Sequence, residues 1–277
     1  MKPGFDAAGD DALCARPEAL MEDDSPLLTV VVPVYNEQDN VAPLSEEIRA
    51  AFRSVPYSWE AMWVDDGSQD ATLERLRALP APHRYLALRT NSGQSAALYA
   101  GFREARGTWI GTLDGDGQND PADLPRQLQH ALETNSDMVN GIRTNRRDSW
   151  IRRVSSQLAN SYRRRRLHDG VTDVGCSTRV VKRSLVQELP FFNGMHRYLP
   201  ALVAAQGAKL DEIDVNHRSR QSGTSKYGVQ NRLWVGLRDV RGVQWLLQRQ
   251  KQWEVCERSD TPARDASESS TIQDASA

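Results

Sequence analysis

Cysteine and long hydrophobic runs are both scarce in this sequence of 277 residues. Its three cysteines lie far apart and form no pair with the spacing of a zinc site or a disulfide framework. The longest apolar run, Leu27 to Tyr35, is interrupted by Thr29 and Pro33 and is too short to span a bilayer. The amino-terminal stretch lacks the apolar core of a signal peptide. We therefore expect a protein of a reducing compartment that is soluble or peripheral to a membrane.

Net charge is also small, because 35 Lys and Arg residues face 37 Asp and Glu residues. No overall electrostatic attraction to nucleic acid follows, and we expect no nucleic acid partner. The sequence has no GxGxxG after its first apolar segment and no GxxxxGK[ST] anywhere. These absences argue against a dinucleotide-dependent oxidoreductase and against a P-loop enzyme.

What the first half does contain is a regular alternation of β-branched segments and amphipathic segments. This pattern predicts an α/β fold with a mostly parallel central sheet and helices on both faces. Pro33 is expected to end the ladder pairing of the first strand. Predicted strands are Leu27–Tyr35, Glu60–Val64, Tyr85–Leu88, Trp109–Leu113 and Met138–Val139, and predicted helices are Val41–Ser54, Ala71–Leu79, a helix opened by Asn91–Gln94 that runs through Arg106, and Asp123–Thr134.

A polar cluster follows each of the first four predicted strands. In parallel sheets ligands bind beyond the carboxyl ends of the strands, so four clusters on one edge indicate a binding site. The pattern is that of a nucleotide pocket that holds a diphosphate through a metal. The clusters are Tyr35–Glu37, Asp65–Gly67, Asn91–Gly93 and Asp114–Gln118.

The fourth cluster, in TLDGDGQNDPADL, places Asp114 and Asp116 two residues apart after a buried segment. Converging carboxylates repel each other unless a cation lies between them, which favours a divalent metal with oxygen ligands. A plain surface turn is the competing interpretation. A calcium loop is rejected, because its sixth position is Asn119 instead of Gly and its twelfth is Pro125 instead of Glu.

The second half is locally basic, with nine arginines among residues 143–166. A helical apolar stripe through Ile151, Val154, Leu158 and Tyr162 opposes this basic face. The density of arginines favours an anionic partner, either phosphate or an anionic membrane surface. A helix is predicted from Lys182 to Leu189, and a strand at 209–217 leads into the basic, glycine-containing loop HRSRQSGTSKYG, which suits the binding of a phosphate.

These patterns divide the chain into four parts. Residues 1–25 and 254–277 are poor in large apolar residues and are predicted to be a disordered leader and tail. Residues 26–229 form the predicted catalytic domain. Residues 230–253 form a predicted amphipathic helix, whose tryptophans and arginines suit a membrane interface, packing on the sheet, or a second subunit.

Five segments, in this order, resemble the family-two glycosyltransferases of the GT-A fold. They are VVVPVYNEQDNV, WVDDGSQDAT, NSGQSAALYAGFREARG, TLDGDGQNDP and NHRSRQSGTSKYG. The resemblance covers about residues 27–250 and is strongest to the branch of dolichol-phosphate mannosyltransferase and its bacterial polyprenyl-phosphate relatives. It implies inverting transfer of a sugar, with Mg²⁺ or Mn²⁺, from a nucleoside diphosphate sugar to a polyprenyl phosphate.

The resemblance also implies roles for individual residues. Asp116, Arg220 and Lys226 would be catalytic, and Asp114, Asp116 and Gln118 would form the metal and diphosphate site. Donor-nucleotide contacts would come from Pro33, Tyr35, Glu37, Asp65, Asp66 and Asp114. Acceptor-phosphate contacts would come from Arg143, Arg152, Arg153, Arg218, Arg220, Ser225 and Lys226.

Two features depart from the wider family. Gly115, Gly117 and Asn119 replace residues of the commoner DADLQDPP pattern, which predicts a more flexible turn. The QxxRW motif of processive synthases is absent, which argues against polymer synthesis.

The expected enzyme is cytoplasmic and peripheral at the inner face of the cytoplasmic membrane, where it would make a lipid-linked monosaccharide for cell-envelope glycan or lipopolysaccharide assembly. A membrane-protein partner or a homo-oligomer is an open expectation. One alternative is transfer to a saccharide or other hydroxyl acceptor, for which Asp173 is the candidate base. Another is a non-catalytic membrane adaptor with the same fold.

Overall fold

The computed structural model describes residues 25–143, 161–218 and 232–249. Seven strands form one sheet, with the bounds β1 Leu28–Val34, β2 Trp59–Asp65, β3 His83–Ala87, β4 Trp109–Thr112, β5 Met138–Arg143, β6 Arg179–Lys182 and β7 Leu210–Val215. Their order across the sheet is β3-β2-β1-β4-β6-β5-β7. The helices are α1 Gln38–Ala51, α2 Thr72–Arg77, α3 Gln94–Glu104, α4 Asp123–Thr134, α5 at 161–167, α6 Leu199–Ala204 and α7 Arg232–Arg249.

The sheet is mostly parallel, as predicted, and β6 is the exception. This strand lies between β4 and β5 and pairs antiparallel with both. The predicted helix Lys182–Leu189 is wrong, because β6 continues to Lys182 and only one 3₁₀ turn, Arg183–Leu185, follows it. Val180 and Val181 are fully buried in β6, which suits a central strand. Neither β6 nor α6 was predicted.

The prediction that Pro33 ends pairing is also wrong, since Pro33 lies opposite Val64 in the register of β1 with β2. Val31 O accepts a hydrogen bond from Leu113 N on the β4 side, whereas Val34 O accepts one from Asp66 N on the β2 side. Alternate residues of a strand point to opposite neighbours. The missing N–H of Pro33 therefore faces the β4 side, beyond the last paired residue of β4, and costs no ladder bond.

Alternation in β1 also supplies both faces of the core. Val30 and Val32 pack with α1 and α4 through residues such as Ile48 and Leu128. Val31 packs on the other face with α3, α6 and the 3₁₀ turn at Met195–Arg197. Two covered faces explain why the first strand reads as a continuous apolar run in the sequence.

Helix α7 packs on this domain through part of its apolar face. Val240 and Val243 are buried in a cluster with Leu167, Tyr198 and Ala201. Trp245, in contrast, is 58% exposed. No helix among the described residues is long and apolar enough to cross a membrane. Residues 1–24 of the predicted leader and the whole predicted tail lie outside the described residues, and the proposed domain bounds stay predictions.

Close packing of α3 on the sheet makes Gly101 a sensitive position. A Cβ there would collide with Val31 Cγ1 and lie 3.2 Å from Val64 Cγ2. We expect Gly101→Ala to lower the free energy of unfolding by about 1–3 kcal/mol, because both valines are stiff β-branched residues of the core. Gly242→Ala in α7 is the matched control, since nothing lies within 4 Å of its Cβ position.

The control should raise the free energy of unfolding by about 0.5–1 kcal/mol through helix propensity. Urea denaturation followed by circular dichroism measures both variants. Shifts of the same sign would contradict the packing described for α3.

Candidate active site

The predicted polar clusters meet at one edge of the sheet, beyond the carboxyl ends of its parallel strands. Because β6 runs the other way, its first residue also lies at this edge. Arg179 is opposite Thr112 of β4 and Asn140 of β5. The antiparallel strand thus brings a buried arginine next to the acidic turn that follows β4.

The ends of β1 and β2 are joined by hydrogen bonds between the turns that follow them. Asn36 N donates to Ser68 Oγ at 2.8 Å, and Glu37 N donates to Thr72 Oγ1 at 2.9 Å. Asn36 has a positive φ of 51°, which turns the chain sharply after β1. This arrangement fixes the backbone around Pro33, Tyr35 and Glu37, the predicted first edge of the nucleotide pocket.

Asp65 and Asp66 are both buried, and both hold loop backbone. Asp65 Oδ1 accepts from Ser68 N at 3.2 Å. The two oxygens of Asp66 accept from Ser92 N at 2.7 Å and Gly93 N at 2.8 Å. Asp66 therefore positions the turn that begins α3, and a contact of either aspartate with the donor stays a prediction.

The acidic turn lies tightly against β1. A Cβ at Gly115 would lie 2.5 Å from Val34 Cγ1 and 2.9 Å from Pro33 O, so only glycine permits this approach. Gly117 has a φ of +72°, which supplies the predicted sharp turn. Gln118 N donates to Asp116 Oδ1 at 3.1 Å. These contacts set where the two carboxylates project.

Asp114 receives hydrogen bonds from two elements that the sequence did not connect with it. Gln94 Nε2, at the start of α3, donates to Asp114 Oδ1 at 2.8 Å. Ser177 lies before β6 and also bonds the carboxylate. Burial, followed by the charge of Asp116, raises the pKa of Asp114, whereas Ser177, Arg179 and Arg143 oppose the rise.

Arg179 is the buried cation beside this carboxylate. Its Nη1 donates to the backbone oxygen of His196 at 3.2 Å, and Nη2 donates to that of Cys176. Burial lowers the pKa of Arg179, and the charges of Cys176 and Asp114 oppose this shift. A small cavity opens here, lined by Gln94, Leu98, Thr112, Leu113, Asp114, Ser177, Arg179, His196 and Leu199.

The acidic turn fits a divalent cation that takes some of its ligands from the protein and the others from a bound substrate. Among the described residues, no group of three or more His, Cys, Asp or Glu side chains could enclose a metal alone. Mg²⁺ is commonly held by one or two carboxylates together with substrate phosphates. Burial is the main cause of the raised pKa of Asp114, and the charge of Asp116 adds to it. A cation between the two carboxylates would relieve this added repulsion.

Arg143 and Asp173 form a bidentate ion pair. Arg143 Nε and Nη2 each donate to a carboxylate oxygen of Asp173 at 2.8 Å. Glu212 supports the same loop by accepting from Thr172 N at 2.9 Å. Asp173, the candidate base for a hydroxyl acceptor, is therefore the residue that orients Arg143, the predicted phosphate ligand.

The other predicted acceptor residues fall into two groups. Arg218 is described and pairs with Glu47 and Asp120. Arg152, Arg153, Arg220, Ser225 and Lys226 lie outside the described residues, as does most of the predicted apolar stripe before Tyr162.

The sequence did not predict the residues that contact or surround Asp114 in space but lie far from it along the chain. Gln94 belongs to the segment NSGQSAALYAGFREARG, in which nothing points to a contact with Asp114. Ser177 and Arg179 come shortly after Gly175, and two valines follow Arg179 directly. Those valines could have indicated β6. His196 had no local signal, because its Nδ1 meets Ser95 Oγ at 2.7 Å across 101 positions of sequence.

Comparison with known proteins gives one family match and several relatives. The family model described as glycosyl transferase family 2 matches residues 29–190. A dodecaprenyl-phosphate galacturonate synthase from Rhizobium johnstonii is 39% identical over 209 residues, covering 73% of this chain and 62% of that protein. An undecaprenyl-phosphate 4-deoxy-4-formamido-L-arabinose transferase from Pectobacterium carotovorum subsp. carotovorum is 37% identical over 211 residues, covering 75% and 64%. The chain thus spans less than two thirds of either relative.

Solved structures agree on the fold. Glucosyl-3-phosphoglycerate synthase from Mycobacterium tuberculosis, in complex with Mn²⁺, UDP and glucosyl-3-phosphoglycerate, gives a TM-score of 0.58 at 18% identity and 80% coverage of both chains. Mannosyl-3-phosphoglycerate synthase from Rubrobacter xylanophilus gives 0.61 at 14% identity, covering 83% of this chain and 77% of the other. These likenesses confirm the predicted GT-A fold.

His196 makes the stability of this site dependent on pH. Burial, followed by the charges of Arg197 and Arg179, lowers the pKa of His196 to about 3. In the unfolded chain His196 therefore binds a proton near pH 6.5, whereas in the folded protein it stays neutral. The free energy of unfolding consequently falls as the pH drops below about 6.5. We expect His196→Gln to remove about 1–2 kcal/mol of the stability lost between pH 6.5 and pH 5.

Urea titrations of both proteins at the two pH values measure this difference. An equal loss of stability in the variant and in the wild type would contradict a neutral, buried His196.

Proposed function

This chain belongs to glycosyl transferase family 2, and we propose that it transfers a sugar from a nucleoside diphosphate sugar to a polyprenyl phosphate with inversion at the sugar carbon. The product would be a lipid-linked monosaccharide for cell-envelope glycan or lipopolysaccharide assembly. The two curated relatives are named for different sugars but for the same class of acceptor. They support a polyprenyl phosphate and leave GDP-mannose and several UDP-sugars as candidate donors.

The observation that carries this proposal is the meeting of Asp114 and Asp116 with arginine at one sheet edge. The carboxylates suit a cation that is bound to a diphosphate, and the arginines suit a second phosphate. An enzyme that joins a diphosphate donor to a phosphate acceptor needs both kinds of group. Asp173 holds Arg143 with two hydrogen bonds, so this arginine has a defined direction.

On the donor side, Asp114, Asp116 and Gln118 would hold Mg²⁺ or Mn²⁺. When bound, the cation would neutralise the charge that develops on the diphosphate leaving group. Gln94 and Ser177 keep the carboxylate of Asp114 oriented. Tyr35, Glu37 and Asp65 would line the nucleotide, on a backbone fixed by the turns after β1 and β2.

On the acceptor side, Arg143 would hold the phosphate of the lipid, with Arg152, Arg153, Arg220, Ser225 and Lys226 from segments outside the described residues. A phosphate monoester has a second pKa near ~6, so it is largely dianionic at neutral pH. It can attack without losing a proton to a side chain. The contribution of the protein is then to orient the nucleophile opposite the leaving group.

We also propose that the protein lies on the inner, anionic face of the cytoplasmic membrane. In α5, Arg163 points inward to a buried pair with Asp169 at 2.6 Å, whereas residues 164–166 are exposed arginines. Helix α7 packs against α5 and carries the exposed Trp245, with Arg249 5.0 Å from its ring centroid. Arginine and exposed tryptophan together suit the headgroup region of a membrane.

The reaction is tested with Mn²⁺ and a panel of GDP-mannose, UDP-glucose, UDP-galacturonate and UDP-N-acetylglucosamine, each with and without polyprenyl phosphate. We expect one nucleoside diphosphate to be released in a lipid-dependent manner. Asp116→Ala should reduce that rate by at least about 100-fold, because it removes charge stabilisation at the leaving group.

Asp39→Ala is the control for that variant, since Asp39 is exposed on α1 and pairs only with the exposed Arg75 among the described contacts. Release without lipid would move the acceptor to water or another hydroxyl. Absence of both nucleotide binding and turnover would support a non-catalytic adaptor.

Membrane attachment is tested by co-sedimentation with vesicles of phosphatidylglycerol and phosphatidylcholine. Replacing Arg164, Arg165 and Arg166 by Gln should weaken binding to anionic vesicles by about 100-fold, at roughly 1 kcal/mol for each of three charges. The matched control replaces three exposed arginines by Gln, namely Arg53 just after α1, Arg77 on α2 and Arg103 on α3. Equal weakening by both triple variants would contradict a localised membrane surface.

A further inference from the structure

Arg218 is tied to an acidic pair that no sequence motif connects with it. Its Nη1 lies 2.7 Å from Glu47 Oε2 of α1, and its Nη2 lies 3.0 Å from Asp120 Oδ2. Glu47 and Arg218 are 171 positions apart in the sequence. Both ends of the guanidinium group are therefore directed to protein carboxylates.

The backbone of the same segment pairs with the acidic turn. Arg218 N donates to Gln118 O at 2.8 Å, and Gln118 Nε2 donates back to Arg218 O at 3.4 Å. Asn119 and His217 form an isolated antiparallel bridge. The residues just after Asp116 are thus joined to the end of the segment that leaves β7.

One further contact extends this connection into α4. Asn216 N donates to Asp123 Oδ2 at 2.7 Å, and Asp123 is buried at the start of that helix. The turn from Asp116 to Asp120 is otherwise short and contains a glycine with a positive φ. Residues 216–218 give this turn contacts from outside, in addition to the hydrogen bond from Asn119 Nδ2 to Ser177 Oγ at 2.7 Å.

The carboxylates around Arg218 hold its guanidinium group in one position. Burial by itself would lower the pKa of Arg218, but the hydrogen bonds and charges of Glu47 and Asp120 together raise it. Two carboxylates around one guanidinium leave a local charge of −1, which would repel an approaching phosphate dianion. This surrounding is poorly suited to the acceptor-phosphate role that the family resemblance implies for Arg218.

We propose that Glu47, Asp120 and Arg218 form a clamp that positions the Asp116–Gln118 turn for the cation and the diphosphate. The proposal rests on the proposed function, because it assigns these three side chains to its donor site. In this role Arg218 is a positioning residue. Glu47 acts on the turn only through Arg218, from a helix that contributes nothing else to the turn among the described contacts.

The test measures Mn²⁺ binding in the presence of UDP and, separately, of GDP, by the electron paramagnetic resonance of free Mn²⁺, on the full chain. The nucleotide that supports binding in the wild type is then used for the variants. Glu47→Gln and Arg218→Met should each weaken Mn²⁺ binding by about two- to five-fold, the range of a partly exposed ion pair. The double variant should bind Mn²⁺ as tightly as Arg218→Met alone, since both changes break the same ion pair between Glu47 and Arg218. Arg218→Lys should restore part of the binding.

Glu46→Gln is the matched control, because Glu46 is the exposed neighbour of Glu47 on α1. It makes the same chemical change on the same helix and should leave Mn²⁺ binding unaltered. Thermal unfolding of every variant accompanies the titrations, and the proposal requires weaker binding in variants whose midpoint stays within about 2 °C of the wild type.

An acceptor role for Arg218 predicts a different result. Arg218→Met would then leave Mn²⁺ binding unchanged and raise the KM for polyprenyl phosphate, while Glu47→Gln would leave that KM unchanged or lower it. This outcome, or equal weakening by Glu46→Gln, overturns the clamp. Failure of the wild-type protein to bind Mn²⁺ with either UDP or GDP would instead contradict the proposed function, and the proposed clamp would be contradicted with it.

Discussion

The negative charge of Asp114, placed at the end of a buried strand, is the constraint around which this site is built. Burial opposes its ionisation, and the nearby Asp116 adds repulsion. A carboxylate in such a place needs hydrogen bonds and positive charge to remain ionised. Gln94 and Ser177 supply the hydrogen bonds, and Arg179 supplies a fixed positive charge.

The antiparallel direction of β6 places the groups that meet this requirement. In a fully parallel sheet, a strand in this place would begin at the opposite edge of the sheet. The residues that precede the strand would then lie far from the site. The reversed direction of β6 instead brings Ser177 and Arg179 to the edge where β4 ends. One strand reversal thus places the counter-charge of Asp114 without adding a loop from elsewhere.

Several arginines of this protein are oriented by acids, which limits what sequence alone can tell. Much of the fold was predictable, because alternating apolar segments and strand-end polar clusters are local patterns, and α4 has the predicted bounds. The partners of Arg143 and Arg218 were not, since Asp173 and Glu47 lie 30 and 171 positions away. A basic residue that binds a ligand and one that braces a turn look alike in a sequence.

The pair of Arg143 and Asp173 also bears on which nucleophile the site can use. If Asp173 accepted a proton from a hydroxyl acceptor, the two charge-assisted hydrogen bonds that orient Arg143 would weaken. A phosphate that is already ionised needs no such proton transfer and adds negative charge next to the arginine. The pair of Arg143 and Asp173 therefore supports the proposed phosphate nucleophile over a hydroxyl.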